Sequence, residues 1–154
     1  MRKVFAILIP VLVCFGVGLT ANYFQTDAIH NWYPYLNKPA LTPPNMVFPI
    51  AWSILYLCMG ISIGLILLTN SRRKSTLIGL FVVQLVLNFL WSFLFFYMRN
   101  PFWGLIDIIL LDILLIIYAV KSYPVKKWSS ILFMPYILWV LFATYLNAYI
   151  FLHN

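Results

Sequence analysis

Charge is what this chain has least of. Only 8% of its 154 residues are charged, and the acidic ones number three, Asp27, Asp107 and Asp112, against ten Lys and Arg. So few carboxylates leave no evident general acid–base pair. The two cysteines, Cys14 and Cys58, fall near the middle of apolar runs, with neither metal-ligand spacing nor a disulfide framework. The two histidines, His30 and His153, lie outside those runs, so no imidazole within them could hold a haem iron. No metal site and no required cofactor is expected.

What fills the chain instead is apolar: 64% of residues are hydrophobic, and the mean hydropathy is +0.97. Five nearly uncharged runs, at about 4–24, 46–69, 76–98, 101–120 and 128–152, carry most of this excess. Each is long enough to cross roughly 30 Å of hydrocarbon as a helix. The expectation is an all-α integral membrane protein, a single domain built as a five-transmembrane-helix bundle. Arg2-Lys3 ahead of the first run fits the start of a signal peptide, but the run continues to Phe24 and no small-x-small cleavage site follows. It is read as the first span.

The formal charge of +7 is not spread as a nucleic-acid surface would require. With five spans the connections alternate sides. Arg2, Lys3, Arg72, Arg73, Lys74, Lys121, Lys126 and Lys127 fall on one side, and only Lys38 and Arg99 on the other. Cytoplasmic loops carry the excess of Lys and Arg, so the N-terminus is expected in the cytoplasm and the C-terminus outside, in a cell membrane. The basic residues then meet anionic lipid heads, and no nucleic acid is expected as a partner.

Three of the four connections are short, which predicts that consecutive helices are antiparallel neighbours. The first, at about 25–45, holds Trp32, Tyr33 and Tyr35 among Pro34, Pro39, Pro43 and Pro44. Proline fixes φ and restrains the residue before it, so this segment reads as a stiff lid or an interfacial aromatic belt. Gly60 and Gly64 form a G-x-x-x-G in the second run, where a helix of this chain or of a second copy could approach closely.

Trp52, Trp91 and Trp139 lie inside the runs, although membrane Trp prefers the headgroup level. A deeper Trp needs a partner for its N–H or an aromatic ligand for its face. At about 1.5 Å per residue, Trp52 and Asp107 lie roughly 9 Å below the outer end of their spans, and Trp91 and Asn88 roughly 9 to 15 Å. Ala143 and Asn147 occupy the outer half of the fifth span, with Trp139 near its middle. Gln84, Asn88 and Trp91 share one helical face, as do Trp139, Ala143 and Asn147 with Tyr136, while Trp52 and Tyr56 are one turn apart. Ala143 leaves a gap between its two larger neighbours, as a pocket floor would. Interhelical hydrogen bonding alone would also use Asn and Gln. The convergence of four spans on one depth favours a ligand pocket, with Asp107 either in it or serving as the partner of a buried N–H. Asp112 is off that face, and the inner half has no comparable set.

These residues resemble a known family. Trp32-Tyr33-x-x-Leu36-x-Lys38-Pro39, Pro43-Pro44, Trp52 and Tyr56 are similar to the first loop and second helix of the TspO/translocator family, the tryptophan-rich sensory proteins and peripheral benzodiazepine receptors. Gln84-x-x-x-Asn88-x-x-Trp91, Trp103-x-x-x-Asp107 and Trp139-x-x-Phe142-Ala143-Thr144-x-Leu146-Asn147 resemble its later helices. The resemblance implies a homodimeric membrane protein that binds protoporphyrin IX, related tetrapyrroles and isoquinoline carboxamides. The ligand site it implies falls on Tyr33, Trp52, Asn88, Trp91, Trp103, Trp139 and Ala143, beside the Asp107 and Asn147 added by depth and phase. It also implies light-dependent porphyrin breakdown, with Trp52 and Trp139 as the catalytic pair. Two departures stand out. Tyr145 and Tyr149 are followed by no Lys or Arg, so the sterol pattern of eukaryotic members is missing, and Gly79 stands alone where the family's glycine dimer motif needs a second small residue. The sequence thus supports a porphyrin sensor or carrier, with a porphyrin-degrading enzyme as the alternative. An ion path would need ionisable groups across the inner half, which the sequence does not supply.

Overall fold

In hydrocarbon a backbone must satisfy its own N–H and C=O groups, and uninterrupted apolar runs therefore become helices. The computed structural model describes residues 2–154 and has five long helices: α1 Arg2–Asn31, α2 Val47–Leu67, α3 Lys74–Ser92, α4 Pro101–Ser122 and α5 Lys127–His153. All five are long and apolar enough to span a membrane, α3 together with the turn that follows it. The protein is an all-α membrane bundle.

The helices close into a ring. α1 packs on α2, α2 on α5, α5 on α4, α4 on α3, and α3 returns to α1. One expectation fails here. The short connection at 70–75 suggests that α2 and α3 lie side by side, yet α2 meets α3 only lightly and packs chiefly on α1 and α5. The glycines explain what α2 does instead. A Cβ on Gly60 would fall 2.4 Å from the Val11 Cα, and one on Gly64 would fall 2.8 Å from the Ala6 carbonyl oxygen. The G-x-x-x-G is therefore filled by α1 of the same chain. Gly18 continues the seam, since a side chain there would strike the Tyr56 ring at 2.3 Å.

Two elements depart from the apolar runs. α1 continues past Phe24 to Asn31, because no Gly or Pro intervenes and its polar side chains bond one turn back. Thr26 Oγ1 donates to the Asn22 carbonyl at 2.7 Å, and Asn31 Nδ2 donates to Asp27 Oδ1 at 2.7 Å. The stiff loop is consequently shorter, a 3-10 turn at Tyr33–Tyr35 followed by an extended stretch. At the far end of α3, a π-helical turn covers Phe93–Tyr97. The Met98 N–H reaches the Phe93 carbonyl at 2.9 Å, and Arg99 then takes a left-handed φ of 49°. Asn100 starts α4 by accepting from the Trp103 N–H at 3.2 Å, with Pro101 at the first position.

Polarity is reversed relative to a water-soluble bundle. Leu8, Leu12, Val86, Ile113 and Leu138 face outwards, whereas Ser62, Gln84, Asn88, Asp107, Asp112 and Asn147 are buried among the helices. Polar side chains in a membrane bundle belong on such inner faces.

Candidate ligand-binding cavity

The ring of helices does not fill its interior at the end that carries the first loop. A cavity of about 510 Å³ lies there, bounded by α1, the loop, α2, the end of α3 and α5. Its walls follow from local sequence. α1 contributes one stripe, from Phe15 and Gly18 to Asn22, Thr26 and His30, spaced three or four residues apart. α2 contributes Phe48, Trp52 and Tyr56 from successive turns. The π turn adds a residue to the end of α3 and brings Phe95 and Phe96 to the same wall as Trp91. Trp91 and Phe95 stack at 5.5 Å with planes 19° apart, and Trp52 stacks on Tyr56 at 5.5 Å and 27°. Ala143, Leu146, Asn147 and Ile150 form the α5 wall.

The loop closes the end. Tyr33 is buried against Phe96, and burial pushes its phenol up to about 12. Lys38 turns its ammonium inward and donates to the carbonyls of Tyr33, Leu36 and Pro34 at 2.7, 3.1 and 3.2 Å. Asn154 ties the loop to the end of α5. Its Oδ1 accepts from the Asn37 N–H at 2.8 Å, and its Nδ2 donates to the Asn37 carbonyl at 3.1 Å. A loop rich in Pro and poor in backbone hydrogen bonds is thus held by two polar side chains, Lys38 and Asn154.

Beneath the cavity a relay of hydrogen bonds crosses three helices. The Tyr56 hydroxyl donates to Asn88 Oδ1 at 3.2 Å, and Asn88 Nδ2 donates to the Tyr136 hydroxyl at 2.9 Å. The Tyr136 hydroxyl donates to Gln84 Oε1 at 3.0 Å, and Gln84 Nε2 ends the relay on Met59 Sδ at 3.9 Å. Beside the cavity, Trp91 Nε1 donates to Asn147 Oδ1 at 3.0 Å, while Asn147 Nδ2 donates to the Pro101 carbonyl at 2.7 Å. Each satisfied bond of this kind is worth about 1 kcal/mol net, and losing one partner of a buried pair costs about 1–3 kcal/mol.

Of the residues singled out from sequence, Tyr33, Trp52, Trp91, Ala143 and Asn147 line the cavity. Asn88 stands one layer behind, reached through Tyr56. Three others lie elsewhere. Trp139 packs against Phe48 and Phe142 and contributes nothing to the wall. Trp139 and Asn147 are i, i+8, which turns them roughly 80° apart on a helix, enough to face different neighbours. Trp103 is half exposed on the outside of α4, about 100° round from the buried Gly104. Asp107 is buried in the α4 interior with Oδ2 unpaired. Asp112 is placed by Thr144, whose hydroxyl donates to its Oδ2 at 2.7 Å.

The structure also supplies residues that the sequence did not single out. Phe48, one turn before Trp52 on α2, and Phe95 and Phe96 complete the aromatic wall, and without the π turn the direction of the last two could not be read from spacing. At the opposite end, Ser62, Tyr118 and Ser129 form a buried hydroxyl cluster. The Ser62 hydroxyl lies 3.1 Å from that of Tyr118 and 2.8 Å from that of Ser129. Three residues on three different helices carry no pattern within any one of them.

Five helices able to span a membrane, four of which bound a cavity with aromatic walls, define a small integral membrane bundle with an internal pocket. Over residues 10–152 the sequence matches the TspO/MBR family. It is 38% identical over 152 residues to the tryptophan-rich protein TspO of Archaeoglobus fulgidus, covering 99% of each chain. It is 34% identical over 143 residues to the translocator protein of Homo sapiens, covering 91% of this chain and 82% of that one. Similarity to protein CrtK of Rhodobacter capsulatus is 33% over 138 residues, covering 88% of this chain and 84% of the relative. The chain belongs to the TspO/MBR family.

Proposed function

We propose that this protein binds protoporphyrin IX and related tetrapyrroles in the loop-end cavity, as part of tetrapyrrole sensing, transport or disposal. Isoquinoline carboxamides would compete for the same space. The observation that carries the reading is the wall itself: Trp52, Tyr56, Trp91, Phe95 and Phe96 surround about 510 Å³ of space. Flat apolar faces suit a flat macrocycle, and a cavity of several hundred Å³ suits a ligand of that class. Eight of the ten cations fall on connections at the opposite end of the bundle from the loop, so the cavity would lie in the half of the membrane away from the cytoplasm. Titrating the protein in lipid nanodiscs with protoporphyrin IX tests the reading. A saturable shift of the porphyrin absorption band, reversed by an isoquinoline carboxamide, is expected. A shift that grows linearly with porphyrin and matches empty nanodiscs would reject it.

A second reading is light-driven breakdown of the bound porphyrin, and the position of Trp52 favours it. Trp52 lines the cavity and stacks on Tyr56, so a photoexcited ligand would meet an oxidisable indole. Trp139 lies behind Phe48 and is the less direct donor. Under equal illumination, bleaching of protoporphyrin IX should slow strongly in Trp52→Phe and little in Trp139→Phe. Equal, wild-type bleaching in both variants would leave a binding protein without this activity.

A further inference from the structure

The aromatic wall accounts for the body of a ligand but not for its polar edge. The cavity lining contains no Lys, Arg, Asp or Glu, and the one basic side chain in it is the imidazole of His30. His30 is an exposed residue of the lining, at the mouth, in the last turn of α1 and on the same helix as the polar Asn22, Gln25 and Thr26; Asn45 ahead of α2 belongs to the same lining. Its ring is held in place, since Nδ1 lies 2.8 Å from the Thr26 carbonyl oxygen and must donate to it. Nε2 has no hydrogen-bond partner among the described residues. The cations nearby are already engaged. Arg99 Nη2 lies 2.6 Å from Asp27 Oδ2, and the Lys38 ammonium is shared among three loop carbonyls.

Resting on the reading of the cavity as a tetrapyrrole site, we infer that His30 receives a carboxylate of the ligand. The site then selects planar amphipathic acids and fixes their orientation, with the ring system on the aromatic walls and the acid edge at the mouth. With Nδ1–H committed to Thr26, a neutral ring offers only a lone pair at Nε2, which does not attract a carboxylate. With a hydrogen on Nε2 as well, the ring offers an N–H and a positive charge, and that is the form that pairs with a carboxylate. The charged groups around His30 are Asp27, one turn back on α1, Arg99 in the turn between α3 and α4, and Lys38 of the loop. The lining from the α2 side carries no charged group, its polar atoms coming from Asn45, Ser53, Trp52 and Tyr56. A charge-assisted bond at a half-solvated mouth gives a preference for the acid over its ester of roughly tenfold.

The test compares protoporphyrin IX with its dimethyl ester, which has the same macrocycle and no carboxylate. Affinities are measured in nanodiscs for the wild type, His30→Phe and His30→Lys. The wild type should prefer the diacid, His30→Phe should bind both ligands alike, and His30→Lys should keep the preference through its permanent charge. Because His30 is exposed, neither variant should disturb folding. Equal wild-type affinity for acid and ester overturns the role of His30 while leaving the cavity as the tetrapyrrole site. So does an acid preference that persists in His30→Phe. If neither ligand binds the wild type saturably, the reading of the cavity falls, and this inference with it.

Discussion

Asn88 shows how much one side chain can hold inside a membrane bundle. It accepts from Tyr56 and donates to Tyr136, joining α2, α3 and α5 under the cavity. Replacing it with Leu keeps the branching at Cγ but leaves two buried tyrosine hydroxyls short of a partner, each loss costing about 1–3 kcal/mol. Thermal unfolding in detergent should therefore begin several degrees lower in Asn88→Leu than in the wild type, and an unchanged midpoint would mean that both hydroxyls find other partners. Trp91→Phe is the milder case. It removes the donor to Asn147 Oδ1 but leaves Asn147 Nδ2 bonded to Pro101, so about 1 kcal/mol is expected. At this scale the sequence was informative where depth and helical phase agreed. Trp52, Trp91, Ala143 and Asn147 could be grouped before any coordinates, and all four line one cavity. The same phase argument grouped Trp139 with Ala143 and Asn147, yet it lies outside the lining, because a drift of 40° per i, i+4 step separates residues two steps apart.

Among the helices, α1 and α2 are the pair whose packing was legible and ambiguous at once. G-x-x-x-G announced a close approach without saying to what. The contacts of Gly60 and Gly64 with α1 answer that question, and they predict a contrast between two glycines. Gly60→Leu drives a side chain into the Val11 backbone and should cost about 1–3 kcal/mol or prevent assembly of the bundle. Gly79→Ala meets nothing within 4 Å in its own chain and should leave the melting temperature unchanged or slightly higher. Equal destabilisation by the two would contradict the assigned α1–α2 seam. Element ends were less legible. Hydrophobicity ended the first run at Phe24, but polar residues that bond to their own helix carry α1 on to Asn31. The π turn at Phe93–Tyr97 has no counterpart in a pattern that assumes a constant period, and the cavity takes Phe95 and Phe96 from it.

For the whole molecule, five spans and the side preference of the cations predict an orientation that can be tested directly. In a background with Cys14 and Cys58 replaced, an impermeant maleimide applied to intact cells should label Tyr35→Cys in the loop and spare Lys126→Cys at the start of α5. The opposite pattern would place the cavity mouth in the cytoplasm. The ring order was not readable from the chain, since loop length constrains which helices are joined and not which faces meet. The cavity is where these scales come together, and Ala143 is its most sensitive point. It is a small residue, 7% exposed, beside the larger Leu146, Asn147 and Ile150 on the α5 wall. Ala143→Phe projects a ring into the space at a strain of about 1–3 kcal/mol, so the protein should still fold. The decisive measurement is an equilibrium titration with protoporphyrin IX, read by quenching of tryptophan fluorescence, on wild-type and Ala143→Phe protein of matched thermal stability. Saturable quenching in the wild type, lost in Ala143→Phe, is the predicted result. Undiminished affinity in a folded Ala143→Phe protein would contradict the assignment of this cavity as the binding site.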